Sequence, residues 1–281
     1  MYSSMRWSRS VLIVLSILAL LMCGVIYLLL SRPQCEGFTS IPRIIWSYWH
    51  DPQIPPNVKK ILDERSERVS NWEHRVLNET TVYTYIPKDA FPSGYSSLSH
   101  THKADWIRLY LIYHYGGCWL DATIIINSPD ELEELYRLTI EKNSDFTGYY
   151  NPPCLVNNNP RTWIESFFIL APIRSNLMER WFNEFTSAVK VGFSEYKKQL
   201  EGETLSKCYK DGDVYFTIYA ALQNVLLDSD TIYIKDTMSS VYSYHYACNW
   251  DSKCVINKLT TIPKNKQPDT IKLIRADRDF L

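Results

Sequence analysis

The chain shows no excess of either charge. Lys and Arg total 30 against 31 for Asp and Glu, and that balance gives no electrostatic footprint for a nucleic-acid partner. It contains seven cysteines but no Cys-x-x-Cys pair, which argues against a zinc site of the usual ligand spacing. Gly-x-Ser-x-Gly, His-Glu-x-x-His, the phosphate-loop pattern and Gly-x-Gly-x-x-Gly are all absent. Nothing therefore points to a nucleophile-elbow hydrolase, a zinc peptidase or a dinucleotide fingerprint. There is no internal repeat and no long low-complexity segment. Apolar residues make up 46% and charged residues 22%, a globular balance that argues against wholesale disorder.

One long apolar run is present. Val11 to Leu30 is 20 residues without a charge, enough to cross a bilayer as a helix. Arg6 and Arg9 precede it, while Arg32 follows with Glu36 close by. Positive charge favours the cytosolic side, so residues 31–281 are expected across the membrane, as in a single-pass type II protein. A cleaved signal peptide is the competing reading. The run is long for one, and Leu28-Leu29-Leu30 offers no small-x-small cleavage site. The expected organisation is a cytosolic tail at 1–10, a signal anchor at 11–30, a stem at 31–40 and one folded domain at 41–281. In a eukaryote that domain would lie in the Golgi or ER lumen. Asn78-Glu79-Thr80 would then be an available glycosylation sequon.

Cys23 lies in the apolar run, which leaves six cysteines for the expected lumenal compartment. Cys248 and Cys254 are close enough to bridge if it is oxidising, and Cys118, inside an apolar run, reads as a free buried thiol. Tyr (20) and Trp (9) are plentiful. Most such rings fill cores, but their flat faces and polar edges also suit sugars and nucleobases.

The domain opens with a strand at Arg43–Trp49, followed by an amphipathic helix carrying Val58, Ile61, Leu62 and Val69 on one face. A second strand is predicted near His74–Leu77 and a third piece near Thr81–Ile86. This order suggests a βαβ unit in an α/β fold.

The stretch THKADWIRLYLIYHYGGCWLDATIII, residues 101–126, is the most informative. Residues 101–115 are apolar nearly all round, as in a buried helix. Gly116-Gly117 ends it, supplying the left-handed position a helix C-terminus favours. Residues 118–126 read as a buried strand, with Trp119, Asp121 and Thr123 on one face. Asp105 and Arg108 lie three apart on the helix, and Asp121 sits on the strand. The bland reading is a weak intrahelical ion pair. Burying a charge without a partner costs several kcal/mol, however, so three charges in such apolar surroundings demand one another or a ligand.

Further along, Pro129 to Glu134 mark a helix start, and Asp145–Tyr150 and Trp163–Leu170 read as strands, the latter holding Glu165. Leu177–Val189 and Val214–Leu227 read as helices and Thr231–Lys235 as a strand. In an open α/β sheet, ligands bind beyond the carboxyl ends of the strands. A carboxylate there can hold a divalent cation, and the cation a diphosphate.

IPRIIWSYWH followed by KADWIRLYLIYHYGGCWLDATI resembles the capsular polysaccharide synthesis proteins and the related DXD sugar-binding glycosyltransferases. The joint pattern covers roughly residues 41–126. WIESFFILAP, INKLT and HYACNW resemble further segments of these groups, more loosely. The resemblance implies a Rossmann-like GT-A fold that binds a UDP- or GDP-sugar, with Mn²⁺ or Mg²⁺ assistance. It implies transfer of a sugar, a hexose by expectation, to a glycan or polysaccharide acceptor with retention. By position, Asp105 and Arg108 would contact donor sugar hydroxyls or phosphates. Asp121 would touch ribose and metal as the first DXD carboxylate. Trp46 would lie near the base, His245 would approach the diphosphate or metal, and Trp250 would wall the site. The second DXD position is Thr123, also placed in the donor subsite. A hydroxyl is a poorer hard-cation ligand than a carboxylate, so His245, Asp251 or water would complete the shell, or metal dependence would be low. Inversion would instead need a positioned base near the acceptor, for which Glu165 and Asp213 are the carboxylates to consider. Two other classes remain open at this level: an inactive glycan-binding relative, and a membrane-tethered glycoside hydrolase using paired carboxylates.

Overall fold

In the computed structural model, which describes residues 41–200, 206–210, 214–278 and 280–281, a six-stranded sheet forms in the order β2-β1-β3-β6-β5-β7. The strands are β1 (Ile44–Tyr48), β2 (Glu73–Leu77), β3 (Gly117–Leu120), β5 (Phe146–Tyr150), β6 (Phe168–Ala171) and β7 (Ile232–Asp236). All run one way except β6, which pairs antiparallel with both neighbours. A second, two-stranded antiparallel ribbon joins β4 (Ile124–Ile126) to β8 (Thr270–Lys272). The expected anchor, Val11–Leu30, and the stem lie outside the described residues. Among the described residues no helix is long and apolar enough to cross a membrane.

The predicted βαβ unit is present. The helix Pro56–Arg68 links β1 to β2, which pair in parallel, and buries Val58, Ile61 and Leu62. The piece at 81–86 is a 3-10 turn, Val82–Thr84, instead of a strand. Alternation along the strands splits the core in two. Trp46, Trp119, Phe146 and Ile169 face one layer with the helices His100–Tyr115 and Asn176–Val191. Ile45, Cys118, Leu120 and Leu170 face the other, with Leu132 and Leu135 of the helix Asp130–Glu141. The helix His100–Tyr115 buries eight consecutive residues, Asp105 to Ile112, because it lies sandwiched between β-sheet and helix. Its start is capped by Ser99, whose hydroxyl accepts the His102 amide at 3.3 Å.

Gly116 and Gly117 both take positive φ, 63° and 91°. A Cβ on Gly117 would stand 2.6 Å from the Ile44 carbonyl oxygen. Only glycine lets β3 approach β1 this closely here.

Two strand expectations need correction. The continuous strand at 118–126 breaks after Leu120. The Ile124 amide donates to the Asp121 carbonyl, closing a turn over Asp121–Thr123, and the chain leaves the main sheet for the ribbon. Asp121 therefore lies just past the end of β3 and not within a strand. Likewise, strand pairing begins only at Phe168, so Glu165 lies on the approach to β6, tied by its amide to the Tyr149 carbonyl at 2.7 Å.

Four cysteines form two disulfides, Cys154–Cys208 and the expected Cys248–Cys254. Cys118 is free and buried, as expected.

Candidate active site

Four segments converge at the carboxyl end of β3. Asp121 follows that strand directly. Its amide donates to the Phe167 carbonyl at 3.0 Å, which sets the Glu165–Ser166 segment beside it. The buried helix delivers Asp105 and Arg108. The fourth segment is β8, whose register places Lys272 opposite Ile124. A Leu273 amide bond to the Thr123 carbonyl at 3.1 Å fixes that register.

Arg108 is the hub. Its Nη2 lies 3.0 Å from Asp105 Oδ1 and 3.3 Å from Asp121 Oδ1. Its Nη1 donates to both the carbonyl and the hydroxyl of Ser166, at 2.7 Å each. The guanidinium also lies 5.2 Å from the Trp119 ring centre, and the Trp119 indole N–H donates to Asp121 Oδ1 at 2.9 Å. On the other side, the Lys272 ammonium donates to Asp121 Oδ2 at 2.9 Å and to Thr123 Oγ1 at 3.0 Å. The Thr123 hydroxyl in turn donates to the Leu273 carbonyl at 2.9 Å. From behind, Arg65 donates to the Asp121 carbonyl at 3.1 Å and to Ser47 at 2.7 Å. Arg65 is buried although it is charged, on a helix whose apolar face was read from Val58, Ile61, Leu62 and Val69.

The charges divide unequally. Burial pushes the Asp105 carboxyl up to about 7; Arg108 opposes that and Asp121 adds to it. Burial also pushes Glu165 up to about 7, against bonds from Tyr219 and Trp163; the Tyr219 hydroxyl donates to it at 3.1 Å. For Asp121, burial is outweighed by Lys272 and Arg108, which hold it below the usual carboxylate range. Arg108 stays charged because Asp121 and Asp105 outweigh its desolvation. Near neutral pH the cluster thus holds two cations, Arg108 and Lys272, one firmly ionised carboxylate and two half-protonated ones. Arg65 behind Asp121, lowered by burial only to about 10, is charged as well, so the positive charges exceed the negative by about one, an excess that an added anion balances.

The structure brings together Asp105, Arg108, Asp121 and Thr123 as the sequence suggested. It does not bring Trp46. That ring is fully enclosed, its N–H donates to the Gly116 carbonyl at 3.0 Å, and Tyr85, Tyr115 and Arg75 pack around it. It has no open face for a base and serves the core. His245 is also fully buried. Its Nε2 lies 2.7 Å from Asp277 Oδ2. Burial pushes Asp277 up, but bonds from His245, Ser252 and the Ile274 amide prevail and lower its pKa, so the imidazole is the donor. Tyr242 and Trp250 pack on the His245 ring, at 5.3 and 5.1 Å between centres. Trp250 keeps 42% of its surface exposed. It sits at φ 62° directly after Asn249 at 47°, a backbone held by the Cys248–Cys254 bridge around it. Asp251 caps the helix Ser252–Thr261, accepting the Cys254 amide at 2.7 Å. Asp213 lies outside the described residues.

Lys272 was missed. Its signal was the one already used for Asp121: a charge inside an apolar run, here Thr270 to Ile274. Ser166, Trp119 and Tyr219 carry no such signal, since nothing in their spacing marks them as partners of a charge.

The sequence pattern of the capsular polysaccharide synthesis protein family matches residues 31–187. The chain belongs to that family. Among its relatives, the O-glycosyltransferase PaGT of Phomopsis amygdali is 30% identical over 102 residues, 31% of this chain and 25% of that protein. The O-glycosyltransferase braB of Annulohypoxylon truncatum is 27% identical over 92 residues, 28% of this chain and 22% of that protein. The chain thus spans about a quarter of the length of these two relatives. Among solved structures, a glycosyltransferase involved in glycosylating the major capsid of PBCV-1 aligns with 84% of this chain and 98% of its own, at TM-score 0.41 and 11% identity. The PaToxG glycosyltransferase aligns over 85% of this chain and 82% of its own, at TM-score 0.41 and 12% identity.

Proposed function

We propose that this chain is a glycosyltransferase of the GT-A type. It takes a UDP- or GDP-sugar and passes the sugar, a hexose, to a hydroxyl of a glycan acceptor. The observation that carries this reading is the Arg108 clamp, in which one guanidinium holds Asp105 and Asp121 together at the carboxyl end of β3. Asp121 is suited to accept bonds from ribose hydroxyls, and Arg108 and Lys272 to offset the charge of a leaving diphosphate. Asp105 holds Arg108 in place and, half-protonated, can donate to or accept from a sugar hydroxyl. The family's link to polysaccharide synthesis and the names of the two O-glycosyltransferase relatives support the same class. Retention at the anomeric carbon, and anchoring through Val11–Leu30 with the catalytic domain lumenal, complete the proposal.

The hydrolase alternative loses support here. A glycosidase needs a sugar between its two carboxyl groups, whereas Asp105 and Asp121 share one Arg108 nitrogen.

The test is a panel of UDP- and GDP-sugars incubated with the full chain, following free nucleotide release and transfer to oligosaccharides. At least one donor is expected to turn over, and the anomeric configuration of the product reports retention. Asp121→Asn is expected to abolish turnover while keeping the circular dichroism spectrum. A wild-type chain that neither binds nor consumes any donor refutes the reading, as does full activity of the Asp121→Asn variant.

A further inference from the structure

The divalent ion implied by the resemblance does not fit the side chains around Asp121. Each side-chain atom that would ligate it is already engaged. Asp121 Oδ2 and Thr123 Oγ1 both bond the Lys272 ammonium, while Asp121 Oδ1 accepts from Trp119 and faces Arg108. His245, the expected third ligand, is buried with its Nε2 on Asp277. Asp251 is a helix cap. Among the described residues no group of three His, Cys, Asp or Glu side chains is placed to hold a metal.

What stands between the first and third residues of Asp121-Ala122-Thr123 is a cation that belongs to the protein. Lys272 does not reach it by chance of rotamer. It comes from a strand paired with β4, with Leu273 bonded to Thr123 at both amide and carbonyl. The lysine side chain is 12% exposed, against 24% for Asp121, so the pair sits at the rim of the cluster and not in the sealed core. An ammonium has three donors, and Asp121 and Thr123 take two. Replacing the second DXD carboxylate with a hydroxyl also removes the negative charge that a dication needs but a monocation does not.

We propose that Lys272 takes the place of the divalent cation, so that this chain transfers sugar without a metal. The inference rests on the donor reading above. Lys272 offers its third N–H to the diphosphate, and Arg108 supplies the second positive charge. In the transfer, the bond from the anomeric carbon to the diphosphate oxygen breaks and that oxygen leaves with the electron pair. The acceptor oxygen bonds the anomeric carbon and its proton passes to the departing diphosphate. Lys272 and Arg108 remain protonated throughout and only compensate charge.

The experiment uses the full chain with UDP and GDP as probes, and with whichever of their sugars it consumes. Binding is measured by calorimetry in EDTA and again with Mn²⁺, and turnover in the same two buffers. Expected are equal affinity and a rate within about twofold in both, with Mn²⁺ paramagnetic resonance showing no protein-bound ion beyond that held by nucleotide alone. Lys272→Met is expected to weaken nucleotide binding about tenfold or more, as loss of a charge-assisted contact does, and Lys272→Arg to recover most of it. If Lys272→Met does not fold, the double variant Thr123→Asp with Lys272→Ala serves instead. It rebuilds a two-carboxylate site, and its binding should become dependent on Mn²⁺. Binding or turnover of the wild-type chain that falls at least about tenfold in EDTA and returns with Mn²⁺ overturns the proposal and leaves the donor reading standing. Lys272→Met that folds and binds as tightly as wild type also overturns it. Failure to bind UDP, GDP or their sugars in either buffer removes the donor reading, and this inference with it.

Discussion

Replacing Arg108 with Met tests whether the clamp is built as described. Methionine keeps the apolar stem near Trp119 but removes the bonds to Ser166, Asp105 and Asp121. Two buried acceptors on Ser166 lose their donor, at about 1–3 kcal/mol each. Relief of the arginine's own desolvation offsets part of this, leaving a loss of about 3 kcal/mol. The Asp105 term depends on pH. In the wild type this carboxyl ionises near 7, and Arg108 is what restrains it from rising further. At pH 6 it is protonated in both proteins and contributes no difference. Above 7 the wild type ionises beside Arg108, while the variant must hold a proton or bury an unpaired charge. The gap then widens by about 1.4 kcal/mol per pH unit, or about 2 kcal/mol more at pH 8.5 than at pH 6. Urea denaturation of both proteins at the two pH values measures it. A destabilisation that is the same at pH 6 and 8.5 refutes the proposed coupling of Asp105 to Arg108.

Further outcomes follow from the same geometry. Asp105 and Glu165 are both raised to about 7, so each binds its proton more tightly folded than unfolded. Their stabilisation is complete below about pH 4 and is lost as pH rises to about 7; thermal melts from pH 4.5 to 8 should show that slope, and the Asp105→Asn, Glu165→Gln double variant should flatten it. Trp46→Phe should destabilise by about 1–3 kcal/mol through lost packing and the lost Gly116 bond, yet leave UDP and GDP affinity unchanged in calorimetry; a large loss of nucleotide affinity in a stable variant would restore the ring to the donor site. Gly117→Ala should cost about 3 kcal/mol or prevent folding, because its Cβ meets the Ile44 carbonyl and φ is 91°; an expressed variant with wild-type melting contradicts that. Removing Cys154–Cys208, which closes 54 residues of chain, should cost more than removing Cys248–Cys254, which closes 6, about 4 against about 2 kcal/mol by loop entropy, as paired Cys→Ser melts would report.

The parts legible in the sequence were those set by local pattern. The βαβ opening, the all-round apolar helix, its glycine stop and the helix at Asp130 each follow from periodicity and capping, and each is present. The clamp was legible too, because Asp105, Arg108 and Asp121 are charges in apolar runs. What failed depended on tertiary contacts. Residues 118–126 carry one continuous β-branched pattern, and only the turn closed by Ile124 on Asp121 shows that two sheets share it. Trp46 has the composition of a stacking ring, but burial against Tyr85 and Tyr115 decides its role. Lys272 stands 151 residues from Asp121 in sequence, and no local signal links them. The His245–Asp277 pair is hidden in the same way.

In the proposed function, the Arg108–Asp121 cluster holds the nucleotide diphosphate of a sugar donor. Calorimetric titration of UDP and of GDP into the full chain, beside the Asp121→Asn variant, tests it most directly. One of the two nucleotides is expected to bind the wild type, and the variant to bind it at least about tenfold more weakly, an energetic difference of about 1.4 kcal/mol. Equal affinity in the two proteins, or no binding of either nucleotide to the wild type, contradicts it.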